Sequence, residues 1–376
     1  MPFRKQTLAI LAFTFGLVAC GKTAVIPALM PNKVNPPGQD IPTWKAQDSR
    51  IGAPEEVIVS TAADAIPGAL NQEIEQFTFK NRTYHLIAAA GKIDHLLAKL
   101  RDQGLKADQN LRVFAASTDP LPSADPSPVP PIPPMVSPGP AQDPDDEFYF
   151  AQWGLQQGKI PAIWPNINYP EDMLVAVIDT GVDYTHPDLA KQIIPGPNYV
   201  FSKSWWQIGK RDPGPLDDNS HGTHVAGIIT ASANNRIGMA GVAPGCKVMA
   251  IKALAGDGTG DAFNVMKAVS HAINKGAKIV NLSLGSAFAS SVGREFFGNA
   301  VSSGALLVAA AGNEGDAVSF PASYPGVLSV GAVDAHNNLA SFSNHDQSMG
   351  LVAPGVGIIS TVIGKQYAKM SGTSMA

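Results

Sequence analysis

Residues 173–179 read MLVAVID, a run of six apolar residues that ends in an aspartate. A continuous apolar run of this length is typical of a β-strand that is buried on both faces, as strands are in parallel sheets. Parallel strands are joined by crossover segments, which are usually helices. In such sheets the chemistry gathers at the carboxyl ends of the strands, and Asp179 is predicted to lie at one of these ends.

Segments of strand and helix character alternate after this run. Further strands are predicted over 246–254, 277–284 and 305–313. Helices are predicted from Ser220 to about Ser232, with Ser220 as the candidate N-cap, and over 261–276 and 292–304. This alternation predicts an α/β fold of three layers, a parallel sheet with helices on both faces.

The composition is that of a globular protein with more than one domain. Of the 376 residues, 45% are hydrophobic and 15% charged, which is enough apolar material for a large core. The formal net charge of −4 gives no electrostatic reason to expect a nucleic-acid partner. The two cysteines are Cys20 and Cys246. If Cys20 is modified, no intrachain disulfide can form, and an exported protein then depends on its core or on metal ions for stability.

The first 19 residues have the features of an export signal. Arg4 and Lys5 are followed by the apolar stretch LAILAFTFGLVA, which is too short to span a bilayer comfortably. The end of this stretch and Cys20 resemble the lipobox of bacterial lipoproteins, which implies cleavage before Cys20 and lipidation of its thiol. An ordinary secretory signal is the alternative. Gly21 replaces the aspartate that retains lipoproteins in the inner membrane, so we expect an exported protein, either anchored in the cell envelope (the outer membrane included) or secreted.

The rest of the chain divides at two proline-rich segments. Residues 20–43 lack periodicity and are predicted to form a tether. Residues 44–118 combine strand-like segments with one helical segment, KIDHLLAKLRDQG, and predict a small α/β domain. Ten of the 21 residues from 120 to 140 are proline, which predicts an exposed, cleavable linker over 119–146. The alternating strands and helices occupy residues 147–376.

Three polar residues are predicted to carry the chemistry. Asp179 ends the first buried strand, His221 begins a predicted helix, and Ser374 follows Gly-Thr. Taken singly, each also fits a structural role in a turn or loop. A serine hydroxyl becomes a good nucleophile when a base removes its proton. Histidine can act as this base because its unperturbed pKa is roughly 6.5. A carboxylate beside it fixes the tautomer of the imidazole and stabilises the imidazolium that forms. The order Asp, His, Ser is one of the orders in which such triads occur.

Five motifs make a resemblance specific. VAVIDTGVDYTHPDL, NSHGTHVAGIIT, IVNLSLGS, VAAAGNEG and SGTSMA follow one another in this order. They resemble the motifs of the subtilisin-like serine proteases, the subtilases, and the similarity covers roughly residues 147–376. It implies a subtilisin-like fold and a serine endopeptidase that hydrolyses polypeptides through an acyl-enzyme. It also implies that Asp179 is the orienting acid, His221 the general base and Ser374 the nucleophile.

The resemblance extends to an oxyanion site and a substrate cleft. Asn313 matches the side chain that donates a hydrogen bond to the oxyanion. Two segments resemble the extended segments that pair with a bound peptide as an added strand, and a third resembles one wall of the pocket for the residue before the scissile bond. Its small residues imply an open, uncharged pocket for large apolar side chains. The two peptide-pairing segments are Gly258, Thr259 and Gly260, and Ser283, Leu284 and Gly285; the pocket wall is Ala310, Ala311 and Gly312.

The segment ANNRIGMAGVAP, which begins at residue 233, resembles the high-affinity calcium loop of the family. Calcium prefers an all-oxygen shell of the kind that such a loop offers. A glycine-rich loop without metal is the alternative, and no organic cofactor is implied. The implied ligands are the side chains of Asp188 and Asn235, the carbonyls of Ala233, Ile237 and Met239, and Gln152 as a further ligand.

The remaining expectations concern activation and the end of the sequence. Residues 44–118 fit the place of a subtilase propeptide, which implies an intramolecular inhibitor that is cut away between about 118 and 147. Subtilases continue beyond the GTSMA motif with a largely buried helix. We therefore expect a fragment of a longer protein, and little activity from a chain that ends at Ala376. A degenerate subtilase that acts as a surface binding or inhibitory module is the alternative. A lipase-type hydrolase is disfavoured because no G-x-S-x-G surrounds Ser374.

Overall fold

The computed structural model of the chain describes residues 56–62, 73–89, 93–118, 143–167, 173–200 and 214–376. The predicted signal peptide with Cys20, the tether and most of the proline-rich linker lie outside the described residues. We refer to residues 56–118 as the N-terminal unit and to residues 143–376 as the C-terminal unit. Within the described ranges, no helix is both long enough and apolar enough to cross a membrane.

The N-terminal unit is a four-stranded sheet with one helix packed on it. Its elements are β1 (Glu56–Ala62), β2 (Glu73–Phe79), β3 (Arg82–Ala88), α1 (Ile93–Asp102) and β4 (Lys106–Gln109). The strand order is β2-β3-β1-β4, and the neighbours pair antiparallel. Helix α1 buries Leu100 in a small core with Val57 and Val59, and Gly104 follows it with a φ of +76°, as expected of a helix stop.

A fully parallel sheet of seven strands forms the centre of the C-terminal unit. The strands after β4 are β5 (Arg112–Ala115), β6 (Leu174–Asp179), β7 (Ile193–Asn198), β8 (Lys247–Lys252), β9 (Thr259–Asp261), β10 (Ile279–Leu282), β11 (Leu284–Gly285), β12 (Leu306–Ala310), β13 (Leu328–Val333), β14 (Leu351–Pro354), β15 (Ile358–Val362) and β16 (Gln366–Met370). The order in the large sheet is β14-β13-β12-β10-β6-β8-β7. The predicted run MLVAVID forms strand β6, an interior strand of this sheet between β10 and β8.

Helices cover both faces of this sheet. They are α3 (His221–Thr230), α4 (Ala262–Asn274) and α5 (Ser291–Ser302). The shorter α2 (Trp153–Gln157) and the 3₁₀ helices at Tyr149–Ala151 and Ile160–Asn166 pack in a small separate core. Alternate residues of β6 face opposite sides: Ala176 and Ile178 join the core under α4 and α5, whereas Val175 and Val177 join the core under α3. The predicted three-layer α/β fold is therefore confirmed.

Strand β5 connects the two units. Its sequence lies in the predicted small domain, but the strand is the middle member of a separate sheet in the order β11-β5-β9, and both pairings are antiparallel. Both partners belong to the C-terminal unit. The remaining strands, β15 and β16, form an antiparallel hairpin. The predicted small domain thus ends in a strand that pairs with the C-terminal unit and not with the four-stranded sheet.

Candidate active site

Asp179 and His221 form a buried polar pair at the carboxyl end of β6. Asp179 is the last residue of β6, and His221 is the first residue of α3. His221 Nδ1 lies 2.7 Å from Asp179 Oδ1, and the two side chains are 1% and 0% exposed. His221 Nε2 and Asp179 Oδ2 have no hydrogen-bond partner in the described part of the chain. The ring nitrogen opposite Asp179 is therefore available to another group.

The start of α3 is held against β6 by groups from outside the helix. A Cβ on Gly222 would lie 2.1 Å from the carbonyl oxygen of Gly181, so only glycine fits directly after His221. Ser220 occupies the N-cap position, as predicted, but its side chain does not cap the helix; its φ of 91° is left-handed, whereas N-cap residues are usually extended. Three other acceptors bind the N–H groups of the first turn: Asn219 Oδ1, Thr180 Oγ1 and Asp217 Oδ2.

The two histidines of α3 differ in their electrostatic surroundings. Burial acts to lower the pKa of His221, but the charge and the hydrogen bond of Asp179 outweigh burial and hold this pKa above its ordinary value. Burial, together with the charge of His221, lowers the pKa of His224 to about 3. His224 is therefore neutral, and its Nε2 lies 3.0 Å from Ile358 O and 3.2 Å from Ala368 O. His221 is the histidine that is equipped to accept a proton.

Ser374 lies at the neighbouring strand end. Its Oγ donates to Ser283 O at 3.0 Å, and Ser283 Oγ donates to Ser374 O at 3.1 Å. Ser283 directly follows β10 and Asp179 ends β6; these strands are neighbours in the sheet, about 4.8 Å apart. The structure thus joins Asp179 to His221 and places Ser374 one strand away, with its hydroxyl directed at Ser283 rather than hydrogen-bonded to His221 Nε2.

Asn313 contacts the loop that carries Ser374. Its Oδ1 accepts hydrogen bonds from Thr373 N and Thr373 Oγ1, both at 2.9 Å. Its Nδ2 is buried and has no partner among the described residues. A Cβ on Gly372 would lie 2.5 Å from Ala116 O and 3.3 Å from Asn313 Nδ2. The free amide group and the Ala116 carbonyl oxygen therefore border the same small space.

The two predicted substrate segments pair with strand β5 of the chain itself. Leu284 and Gly285 lie opposite Ala115 and Phe114, and Thr259 and Gly260 lie opposite Phe114 and Val113. Gly258 O accepts a hydrogen bond from Ala115 N at 2.9 Å. An extended segment of the N-terminal unit thus occupies the place that the sequence analysis assigns to a bound peptide.

The chain continues from β5 across Ser374. Ala116 N donates to Ser283 O at 3.1 Å, and Ser374 N donates to Ala116 O at the same distance. Two residues further on, Thr118 N donates to Ser371 O at 2.9 Å. The peptide bond that follows Ala116 is therefore fixed on both sides and lies at the candidate nucleophile.

The third predicted segment has a more polar environment than the sequence implies. Ala310 ends β12, and Ala310 and Ala311 are buried. A Cβ on Gly312 would lie 2.2 Å from Asn344 Nδ2, 2.5 Å from Ser319 Oγ and 2.9 Å from Glu314 Oε2. The sequence implies a pocket without charged groups, but in the structure the Glu314 carboxylate and the Asn344 amide lie close to Gly312.

Two buried charged groups beside the pair were missed by the sequence analysis. Asp217 accepts hydrogen bonds from Thr180 Oγ1 and from Thr223 N and Oγ1, and burial raises its pKa. Lys252 lies directly opposite Asp179 in the pairing of β6 with β8; its Nζ contacts Thr180 O and lies 2.6 Å from Asp218 Oδ1. A lysine at the end of an apolar strand was the available signal for Lys252.

The predicted calcium loop surrounds Asp188. This carboxylate is fully buried. Its Oδ2 accepts from Met239 N at 3.1 Å and from Tyr367 Oη at 2.8 Å, and its Oδ1 accepts from Asn235 Nδ2 at 2.6 Å. A Cβ on Gly238 would lie 2.1 Å from Asp188 Oδ2, so the loop closes tightly over the carboxylate.

Two side chains near this loop differ from the sequence-based expectation. Gln152 lies beside the loop, but its amide is bound to the backbone of Ala240, with Nε2 to O at 2.7 Å and Oε1 to N at 3.0 Å. Asp146, in the predicted linker, is buried and accepts from Asn234 N and Asn235 N at 2.8 and 3.2 Å. Burial, with a contribution from the charge of Asp188, raises the pKa of Asp146. Asp146 is thus a better candidate ligand than Gln152.

Comparison with known proteins shows that the chain is similar in sequence to several serine proteases. Residues 171–376 match the model of the subtilase family. The chain is 43% identical over 238 residues to the thermophilic serine proteinase of Bacillus sp. (strain AK1), over 63% of this chain and 57% of that protein. It is 40% identical over 230 residues to the major intracellular serine protease of Bacillus subtilis (strain 168), over 59% of this chain and 70% of that protein. It is 36% identical over 235 residues to thermitase of Thermoactinomyces vulgaris, over 62% and 81%.

Proposed function

Because the chain belongs to the subtilase family, we propose that it is a serine endopeptidase in which Asp179, His221 and Ser374 cleave peptide bonds through an acyl-enzyme. One observation carries this proposal: the carbonyl oxygen of Ala116 accepts a hydrogen bond from the N–H of Ser374, one strand from the buried Asp179–His221 pair. Polypeptides are the proposed substrates.

The proposed mechanism needs one rotation about χ1 of Ser374, which turns Oγ from Ser283 O toward the free Nε2 of His221. Ser374 Oγ then attacks the carbonyl carbon while His221 takes the proton. The Asp179 carboxylate then stabilises the imidazolium that forms, because it already bonds Nδ1. His221 passes the proton to the leaving amine, and water repeats the sequence to hydrolyse the ester. This chemistry needs no organic cofactor.

In this mechanism the oxyanion receives hydrogen bonds from Ser374 N and from the free Nδ2 of Asn313. Replacing Asn313 by aspartate is expected to lower kcat by roughly 10²–10³-fold with KM little changed, because a donor to the oxyanion is lost. The aspartate keeps the oxygen that accepts from Thr373, so the loop is retained. Steady-state kinetics on a chromogenic peptide measures the effect, and a kcat within about threefold of wild type would rule out the role of Asn313.

We further propose that the N-terminal unit is an intramolecular inhibitor and that its attached segment is the first substrate. Strand β5 fills the cleft between β9 and β11. Attack of Ser374 Oγ on the Ala116 carbonyl breaks the bond to Ser117, with the proton delivered through His221 to the Ser117 nitrogen. Water then releases the Ala116 carboxylate. This bond lies upstream of the interval 118–147 expected from the sequence.

The proposed function is tested by the site of self-cleavage. The full-length protein is expected to convert to a form that begins at Ser117, with a rate independent of protein concentration because the bond already lies in the cleft. Intact-mass and N-terminal analysis over time measure this conversion. Ser374→Ala is expected to stay uncut, whereas the matched variant Ser302→Ala, at the exposed end of α5, is expected to process normally. Processing of purified Ser374→Ala would contradict the proposal.

We propose that the loop around Asp188 holds a structural calcium ion. Asp146 and Asp188 are both buried, and neither forms an ion pair with a lysine or arginine in the part of the chain that the structure describes. Burial and, to a smaller extent, the charge of Asp188 raise the pKa of Asp146. We propose that these carboxylates, with Asn235 and the carbonyls of Ala233, Ile237 and Met239, hold the ion. Bound there, calcium would supply the compensating positive charge.

Removal of this ion is expected to destabilise the fold. With free calcium at about 100 times Kd, binding contributes about 2.7 kcal/mol, so chelation should lower Tm by about 5–10 °C. Asp146→Asn is expected to abolish this calcium-dependent gain without lowering the Tm measured in chelator, since it removes a like charge. Asp145→Asn, which neutralises the adjacent exposed carboxylate, is the control. Equal calcium-dependent gains in Asp146→Asn and wild type would exclude Asp146 as a ligand.

Export and lipid anchoring remain predictions from the first 20 residues. We propose that Cys20 carries lipid and tethers the protease to the cell envelope. Labelling of the protein by a radioactive or alkyne-tagged fatty acid, and its loss in Cys20→Ser, is the expected result. If the wild-type protein is instead exported without label and its mature N-terminus lies after Cys20, the first residues are an ordinary secretory signal.

A further inference from the structure

A single carboxylate of the C-terminal unit receives hydrogen bonds from three strands of the N-terminal unit. Glu295 lies in the second turn of α5. Its Oε1 accepts from Ser60 Oγ of β1 and, at 2.9 Å, from Arg82 Nε of β3; its Oε2 lies 2.6 Å from Lys106 Nζ of β4. Arg82 Nε also lies 3.0 Å from Ser60 Oγ. The four side chains form one connected polar group.

The position of Glu295 makes these contacts stronger than ordinary surface pairs. The carboxylate side chain is 14% exposed, against 25% for Arg82 and 52% for Lys106. Burial acts to raise the pKa of Glu295, but the hydrogen bonds of Lys106 and Ser60 and the charges of Lys106 and Arg82 outweigh it and hold this pKa below its ordinary value. Glu295 is therefore ionised at neutral pH, and within the described residues the side chains that bind its carboxylate, Ser60, Arg82 and Lys106, all belong to the N-terminal unit.

An aromatic cluster next to Glu295 buries apolar surface between the two units. Phe296 is fully buried, and its ring centroid lies 6.0, 5.2 and 5.3 Å from those of Phe77, Phe79 and Tyr84. Aromatic pairs of this kind contribute buried apolar area, and a charged group that must meet three donors on the partner fixes the register. Glu295 therefore determines how the N-terminal unit is oriented on α5.

This contact is mechanically close to the cleft. Lys106 begins β4, and β5 begins at Arg112 after a short connection. A second carboxylate, Asp108, binds the start of α5 from the opposite direction by accepting from Ser291 Oγ at 2.7 Å and Val292 N at 2.8 Å. The register of β4 on α5 thus sets the point at which β5 enters the cleft.

We propose that Glu295 is the latch residue through which the C-terminal unit recognises the N-terminal unit and holds β5 in the cleft. The latch rests on the proposed function, in that the inhibitor to be held is the N-terminal unit. It also predicts that cleavage after Ala116 does not by itself free the cleft, because none of the contacts of Glu295 crosses the cut bond. Release then requires that this polar group be broken.

The latch is tested in the full-length Ser374→Ala protein, which keeps the two units covalently joined. Amide hydrogen exchange of Ala115 and Ala116 reports on docking, because these N–H groups bond to Gly258 O and Ser283 O. Glu295→Gln is expected to speed the exchange of these two amides at least about tenfold. Hydrogen bonds to an ionised group are stronger than those between neutral groups, so loss of the charge weakens the docking of β5. Exchange in the interior strand β6 is expected to stay unchanged, which separates undocking from unfolding.

A second glutamate across the same interface provides the matched control. Glu75 of β2 pairs with Lys267 of α4 but is 41% exposed and has this one ion-pair partner in the described ranges. Glu75→Gln is expected to change the exchange rates by less than about threefold. Lys106→Met added to Glu295→Gln should have a smaller effect than Lys106→Met alone, as expected for coupled partners.

The proposal is overturned if Glu295→Gln exchanges like the parent, or if Glu75→Gln has an equal or larger effect. Exchange does not depend on catalysis, so its result is separate from the test of the protease. Faster exchange in Glu295→Gln supports the latch even if the protein with Ser374 intact fails to hydrolyse peptides. That second failure would count against the proposed activity alone.

Discussion

Replacing His221 by alanine is expected to lower kcat for peptide hydrolysis on the order of a million-fold, because the proposed acceptor of the Ser374 proton is removed. The effect is expected in kcat rather than in KM, since in the proposed mechanism the substrate backbone pairs with β9 and β11 and not with the imidazole. Initial rates on a chromogenic peptide, measured after removal of the N-terminal unit, give both constants.

The control for this variant is His336→Ala. The side chain of His336 is 85% exposed, so its loss is expected to change kcat by less than about twofold. Circular dichroism and thermal unfolding of His221→Ala establish that the fold is retained. A folded His221→Ala protein with wild-type turnover would refute the assignment of this residue as general base.

Replacing Asp179 by asparagine is expected to lower kcat about 10⁴-fold while leaving the fold intact. The amide keeps the size of the carboxylate but removes the charge that stabilises the imidazolium, and it can hold the ring in the wrong tautomer. Asp334→Asn, in an exposed turn of the C-terminal unit, is the matched control and is expected to have near wild-type activity. Comparable losses in the two variants would exclude a specific role for Asp179.

The pH dependence of the same variant gives an independent readout. His221 must be neutral to act as a base, and Asp179 raises its pKa. In the wild type, activity is therefore expected to be lost as the pH falls through a value above the ordinary histidine pKa of roughly 6.5. In Asp179→Asn the raising charge is gone, so the acid limb of kcat/KM should move to lower pH. An acid limb that stays in place or moves upward would show that Asp179 does not set this pKa.

The parts of the fold that sequence predicts are those that depend on local pattern. The run MLVAVID predicts β6 because a strand buried on both faces needs apolar residues at every position. The helix α4 is predicted because its apolar residues recur on one face and Gly276 follows as a stop; the structure adds that the Asp261 side chain caps it by accepting from Asn264 N. Asp179 and His221 are predicted as partners from their motifs, and the structure joins them by a hydrogen bond.

The parts that sequence does not predict depend on long-range contacts. The pattern of β5 is that of any short strand, and nothing in it indicates that the partners lie some 145 and 170 positions later, in β9 and β11. Glu295 reads as an ordinary charged residue on an amphipathic helix, and its role appears only when β1, β3 and β4 converge on it. Asp146 falls beside a proline-rich stretch, so composition hides its burial against the 233–239 loop.

Strand β5 lies between β9 and β11 and pairs with both of them through backbone groups. If substrates bind in the same place, as we propose, this arrangement limits which polypeptides can be cleaved. A polypeptide can occupy this slot only if about four consecutive residues offer unpaired N–H and C=O groups along both edges. In the strands of an intact sheet and in helices, these N–H and C=O groups are already hydrogen-bonded within the folded protein. The protein should therefore discriminate by conformation before it discriminates by side chain, and attack frayed ends, mobile loops and denatured chains while sparing compact domains of identical composition.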